Sequence, residues 1–230
     1  MTSHLTVQLV LSFVVGAIAL VIAGVMFHKV YRGRKLHHLF WALGLLTWGI
    51  TDLAQGWAIL VGWTVPIYKV YYFSAITLAG FLGVGTVGLL FSKNRAYPAY
   101  VVYVVYTTLL FGIVVAFAAV DEILLALTPI VGGLAFPDGI RLFTLPINIP
   151  GGIAFIGGAA YSFYATRKPY ALYITLGALI PAVGGTLARF ALPGFLPFTD
   201  FFGIAFLAAG VYLSARPAPE AVSAASGSVS

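Results

Sequence analysis

Four ionisable residues stand inside stretches that are otherwise apolar enough for lipid: Asp52, Lys69, Arg189 and Asp200. A charge at a bilayer centre costs about 2.5–3.5 kcal/mol, so each needs a partner or a task. At about 1.5 Å of rise per residue, Asp52 falls about 10 Å below one membrane surface, and the other three about 5–6 Å below the same surface. The four therefore form one polar layer. Gln55 lies one turn above Asp52 on the same helix face and Trp48 one turn below it. Tyr72 and Ser74 follow Lys69, Thr186 precedes Arg189, and Asn148 comes in at similar depth. Very short turns join the helices bearing Asp52 and Lys69, and those bearing Arg189 and Asp200, so Asp52–Lys69 and Arg189–Asp200 are expected ion pairs.

The chemistry such a layer offers is binding. Lys69 and Arg189 are candidates to hold a small polar or anionic ligand, with Asp52 setting the charge and Gln55, Asp200, Trp48 and Tyr72 completing the pocket. The competing reading turns the same charges into two staples between neighbouring helices, with the Lys69 amine reaching to the interface. Catalytic sets are missing. His4, His28, His37 and His38 all fall outside the apolar stretches, and no acid–acid pair, Ser/His/Asp set or His/Asp metal cluster is apparent. With no cysteine, disulfides, thiol redox chemistry and Cys-ligated metals are excluded. The expectation is a protein that is not an enzyme and that uses no metal or cofactor.

The elements that carry this layer follow from composition. The chain is 61% hydrophobic and 8% charged, against about 45–50% and 25% in soluble domains. That excludes a soluble enzyme, a nucleic-acid-binding domain and a disordered chain. An all-α membrane protein remains, because backbone amides in lipid must be satisfied within the segment. Seven windows of spanning length are expected: Leu5–Phe27, Leu39–Val61, Val65–Phe91, Tyr97–Val120, Ile147–Tyr164, Tyr170–Leu192 and Pro197–Leu213. Together they make residues 1–214 one seven-helix transmembrane domain. Asp121–Pro146 is too polar at its start to span, with Ile130–Phe136 a candidate for a re-entrant piece. The Ala/Ser/Pro/Gly-rich residues 215–230 are expected to form a disordered cytoplasmic tail.

Lys29, Arg32, Arg34, Lys35, Lys93, Arg95, Arg167, Lys168 and Arg216 fall on one side, nine of the twelve cations. Asp121, Glu122, Asp138 and Arg141 fall on the other. The positive-inside rule then places the N-terminus outside and the C-terminus inside, in the plasma (inner) membrane of a multi-pass protein. The net charge of +6 thus reports orientation rather than nucleic-acid binding. A first apolar run of more than 20 residues with no preceding Lys or Arg reads as an uncleaved span.

Ala42–Leu46 resembles Thr175–Leu179, and Gly49–Gln55 loosely resembles Gly184–Arg189. Either helices 1–3 and 5–7 are parallel copies joined by helix 4, or Gly/Leu/Ala-rich helices look alike by chance. Pro181 is expected to kink the sixth helix. The layout resembles seven-span prokaryotic sensor modules and three-plus-one-plus-three sugar carriers, but no diagnostic motif carries residues over from either. It also resembles seven-helix photoreceptors, whose chromophore needs a lysine in the last span; Phe198–Leu213 has none. Three functions remain open: a receptor-like sensor with a pocket in the extracytoplasmic half and a signalling partner in the cytoplasm or membrane, a small-solute permease, and a structural subunit of a membrane complex.

Overall fold

A computed structural model describes residues 3–190 and 192–214, apart from the side chain of Arg189. The described chain is all helical and contains no strand. Four long helices come first: α1 (Ser3–Gly33), α2 (Leu36–Val61), α3 (Val65–Phe91) and α4 (Ala96–Phe117). Two short helices follow, α5 (Glu122–Leu127) and α6 (Asp138–Leu142). Then α7 (Leu145–Gly152) runs through a π-helical turn at Ile153–Gly157 into α8 (Gly158–Thr166). The chain ends in α9 (Pro169–Arg189) and α10 (Leu196–Ser214).

By length and composition six stretches are able to cross a membrane: Ser3–Gly33, Val65–Phe91, Ala96–Phe117, Asp138–Thr166, Pro169–Ala188 and Pro193–Ser214. The chain is therefore a multi-pass membrane protein of apolar helices. Among the expected seven, α2 is the one that does not qualify on apolarity alone. It has ample length, but His37, His38, Thr47, Thr51, Asp52 and Gln55 dilute it. The fifth stretch starts nine residues earlier than Ile147, at Asp138, because α6 and α7 continue it past Pro146. The tail, residues 215–230, lies outside the described residues.

Close helix contacts run through small residues, as expected where no hydrophobic force draws helices together in lipid. α2 packs between α1 and α3, and α9 packs on α10. A Cβ on Gly44 would come within 3.1 Å of the Leu82 backbone nitrogen, and one on Gly177 within 2.8 Å of that of Leu207. The long third helix lies along α7–α8 in parallel, with Gly80 beside Ile147, Gly83 beside Gly151 and Thr86 beside Gly158. α10 in turn lies against α1. Their first turns meet at one end, where Gln8 Nε2 donates to the Gly194 carbonyl at 3.0 Å and the His4 and Phe198 rings are 6.0 Å apart. At the opposite end, below Trp48, lies a dense apolar core that includes Leu45, Leu82, Ile204 and Leu207, all with no exposed surface.

Candidate functional site

Between the α2–α3 pair and the α9–α10 pair lies a cavity of about 560 Å³. Ligand pockets for small molecules run about 300–1,000 Å³, whereas one water occupies about 30 Å³, so this space suits an organic molecule rather than an ion or a few waters. Its walls are mostly apolar, with Ala75, Ile76, Leu78, Phe155 and Pro181 among them. Its polar lining includes Asp52, Gln55, Thr51, Arg141, Asn148 and Asp200.

Asp52 and Gln55 stand one turn apart on α2 and are only 2% and 3% exposed. Their helix turns them inward because α1 and α3 flank it on either side. The indole of Trp48, one turn earlier, approaches the Asp52 carboxyl. Among the described residues, Asp52 Oδ2 nevertheless has no hydrogen-bond donor, and neither does Gln55 Oε1. Leaving a buried acceptor unmade costs about 1–3 kcal/mol, more when it is charged. A water, an ion or a ligand that brings a donor relieves that cost.

The other end of Gln55 builds a roof. Its Nε2 donates to the Pro129 carbonyl at 3.0 Å, which also accepts from the Trp63 indole nitrogen at 3.0 Å. The Tyr68 hydroxyl donates to the Gly132 carbonyl at 3.0 Å. Gly132 adopts a φ of 58°, a conformation that suits glycine and turns the chain back over the cavity. The roof is fastened on its far side by the Asp121 amide, which donates to the Ala135 carbonyl at 2.9 Å. Ile130, Val131, Ala135 and Phe136 are buried in it. The segment expected to be re-entrant is thus a lid whose Phe136 ring packs against those of Tyr68 and Tyr72.

Of the site residues expected from the sequence, Trp48, Asp52, Gln55, Tyr72 and Asp200 line this one cavity. Lys69 does not. Its Nζ donates at 2.8 Å to the Ala116 carbonyl, in the last turn of α4, where helix carbonyls lack partners and favour a cation. The expected Asp52–Lys69 pair is therefore absent; among the described residues the ion pair that forms is Arg141–Asp138, at 3.0 Å. The expected Arg189–Asp200 pair lies outside the described residues, because it depends on the Arg189 side chain. Asp52 and Asp200, expected in one pocket, face the cavity from different helices; what escaped sequence reasoning is Arg141, which reaches it from α6. Arg141 is the sole cation in the acidic loops, a signal that was legible once those loops were known to fold inward.

Known proteins offer no shortcut. The chain matches no family model, no curated protein and no solved structure.

Two irregularities border the cavity. Pro150, within α7, lacks the amide that would continue the helix ladder, and the π-helical turn follows directly, with Phe155 of that turn lining the cavity. Pro181 interrupts α9 in the same way and also lines the cavity. Across from it, Pro181 fits against Gly203 of α10, where any side chain would clash.

Proposed function

We propose that the protein is a seven-helix membrane receptor whose ligand chamber is the roofed cavity, with α2 as the seventh spanning helix. The N-terminus is outside, which puts the chamber in the extracytoplasmic half and the cationic turns in the cytoplasm. Two buried acceptors without donors among the described residues, Asp52 Oδ2 and Gln55 Oε1, carry this reading. Groups that served only to staple helices would be paired. Being flanked by α1 and α3, both of spanning length and apolarity, supports a membrane position for α2. Its polar face is the chamber wall.

The sensing role rests on the one-sidedness of the polar groups. Beneath Trp48 the helices meet in the packed core of Leu45, Leu82, Ile204 and Leu207. Ligand binding would then be read out as a shift of α9 and α10 against α2 and α3, passed to a partner in the cytoplasm or the membrane. No catalytic role is proposed for any residue.

A second reading, a permease built from parallel repeats, is supported by a separate observation. Gly44 stands eight residues after the first residue of α2 and meets Leu82; Gly177 stands eight after that of α9 and meets Leu207. Each third helix also lies parallel to the first helix of the other copy, α3 along α7–α8 and α10 along α1. That is the contact pattern of two copies related by an axis along the membrane normal.

A thermal-shift screen of the detergent-solubilised full chain tests the chamber, with amines, carboxylates and sugars as probes and Asp52→Asn run in parallel. Stabilisation of wild type but not of the variant is expected. Stabilisation of both alike would remove Asp52 from the site. Flux of the stabilising compound into proteoliposomes would favour the permease; binding without flux favours the receptor.

A further inference from the structure

The chamber is closed above by the roof and below by the core, yet it is open on one side. The α7 wall contributes Ile149, 54% exposed, and Gly152. The α9 wall contributes Ala182, Gly185 and Thr186, all exposed. A Cβ added to Gly152 or to Gly185 would meet nothing within 4 Å. These two helices lie side by side in the chain's layout but scarcely touch here. Both belong to stretches of spanning length. The slot between them therefore faces acyl chains rather than water, on the chamber reading above.

The chemistry inside says what passes through such a slot. Among the described residues lining the chamber, the buried side-chain atoms left without a partner are acceptors, Asp52 Oδ2 and Gln55 Oε1, and Asp200 adds a second carboxyl. The guanidinium at the rim, Arg141, is already met by Asp138. A ligand that completes this site must bring N–H donors and positive charge. The rest of the cavity is apolar and far larger than an ammonium group.

We propose that the chamber takes an amphiphile with an ammonium head and an apolar tail, which enters sideways from the outer leaflet between α7 and α9. The head replaces the missing donors at Asp52 and Gln55, while the tail lies along Ala75, Ile76, Ile149 and Pro181 and leaves through the slot. The proposal rests on the chamber reading and adds to it the ligand's charge and its route. It also replaces the anionic ligand expected from the sequence, whose binding lysine points away from the cavity.

The test is photolabelling of the full chain in lipid nanodiscs by dodecylamine carrying a diazirine on its tail, with the matching dodecanoate probe as control and soluble butylammonium as a third ligand. The amine probe is expected to attach to residues of α7 and α9 at the slot, and the dodecanoate probe is not. Asp52→Asn should cut this labelling about tenfold or more, the worth of a charged hydrogen bond. Gly185→Trp plugs the slot without touching the polar end and should abolish labelling while the protein stays folded. Equal labelling by both probes, or labelling that survives Asp52→Asn, would overturn the ammonium head. Binding of butylammonium that depends on Asp52, with labelling unchanged by Gly185→Trp, would overturn the sideways route and leave the chamber standing. No Asp52-dependent binding of any probe would overturn the chamber as well.

Discussion

The two ends of the bundle solve opposite problems. At the basic end, Leu45, Leu82, Ile204 and Leu207 are fully buried and glycines let backbones touch, so nearly every atom there serves packing. At the roofed end the same helices part around about 560 Å³ of space and leave buried acceptors without donors. Protein interiors pack to crystal-like density because voids and unmade hydrogen bonds are costly. The inner core around Leu45 and Leu207 is given to packing, whereas the roofed end gathers the cavity and the two unpaired acceptors on the Asp52–Gln55 face.

Substitutions that add volume should separate the two ends most sharply. Gly177→Ala brings a methyl within 2.8 Å of the Leu207 nitrogen and 2.9 Å of the Gly203 carbonyl, and should cost about 2–3 kcal/mol. Gly44→Ala should be milder, since the backbone atom its methyl meets, the Leu82 nitrogen, lies farther off at 3.1 Å. Gly185→Ala, with open space around its Cβ, should raise stability by about 0.5–1 kcal/mol through helix propensity alone. Thermal unfolding in detergent ranks the three. A Gly185→Ala loss as large as that of Gly177→Ala would dissolve the contrast between the ends.

A smaller effect probes the roof. Trp63→Phe deletes one of two donors to the Pro129 carbonyl and should cost about 1 kcal/mol. Amide exchange over residues 128–136 should rise while α2 and α3 keep their protection. Exchange that rises evenly along the chain would mean that the roof is part of the core rather than a separate lid.

The smallest effect concerns Lys69. Its bond to Ala116 is surface-exposed, so Lys69→Met should cost about 0.5 kcal/mol. In a double-mutant cycle with Asp52→Asn the two changes should add, because the residues share no contact. A coupling well above the error of the cycle would restore the ion pair that the structure lacks.

Much of this was legible in the sequence because helix geometry is regular. A rise of about 1.5 Å per residue turns position into depth, and that arithmetic brought Trp48, Asp52, Gln55, Tyr72 and Asp200 to one level. The high cost of a charge in lipid marked the same level as special. Rotation about the helix axis was harder to read. A lysine near an interface can point along several directions, and the free carbonyls ending α4, a partner without a sequence signature, decided where Lys69 goes. The roof was harder still. Thr128–Gly133 is irregular backbone held by side chains more than sixty residues away in sequence, so its position follows from contacts rather than local pattern. Arg141 reaches the cavity only because that roof folds inward. The apolarity of α2 was misjudged for a related reason: the polar residues that make it the site wall also make it the least lipid-like long helix.

The most direct test of the central claim is the melting temperature of Asp52→Asn against wild type, measured without added ligand. Since Oδ2 has no partner among the described residues, the fold should not need its charge, and the variant should melt at the same temperature or higher while losing the ligand response. A variant that melts several degrees lower would contradict the account and make Asp52 a staple of the bundle.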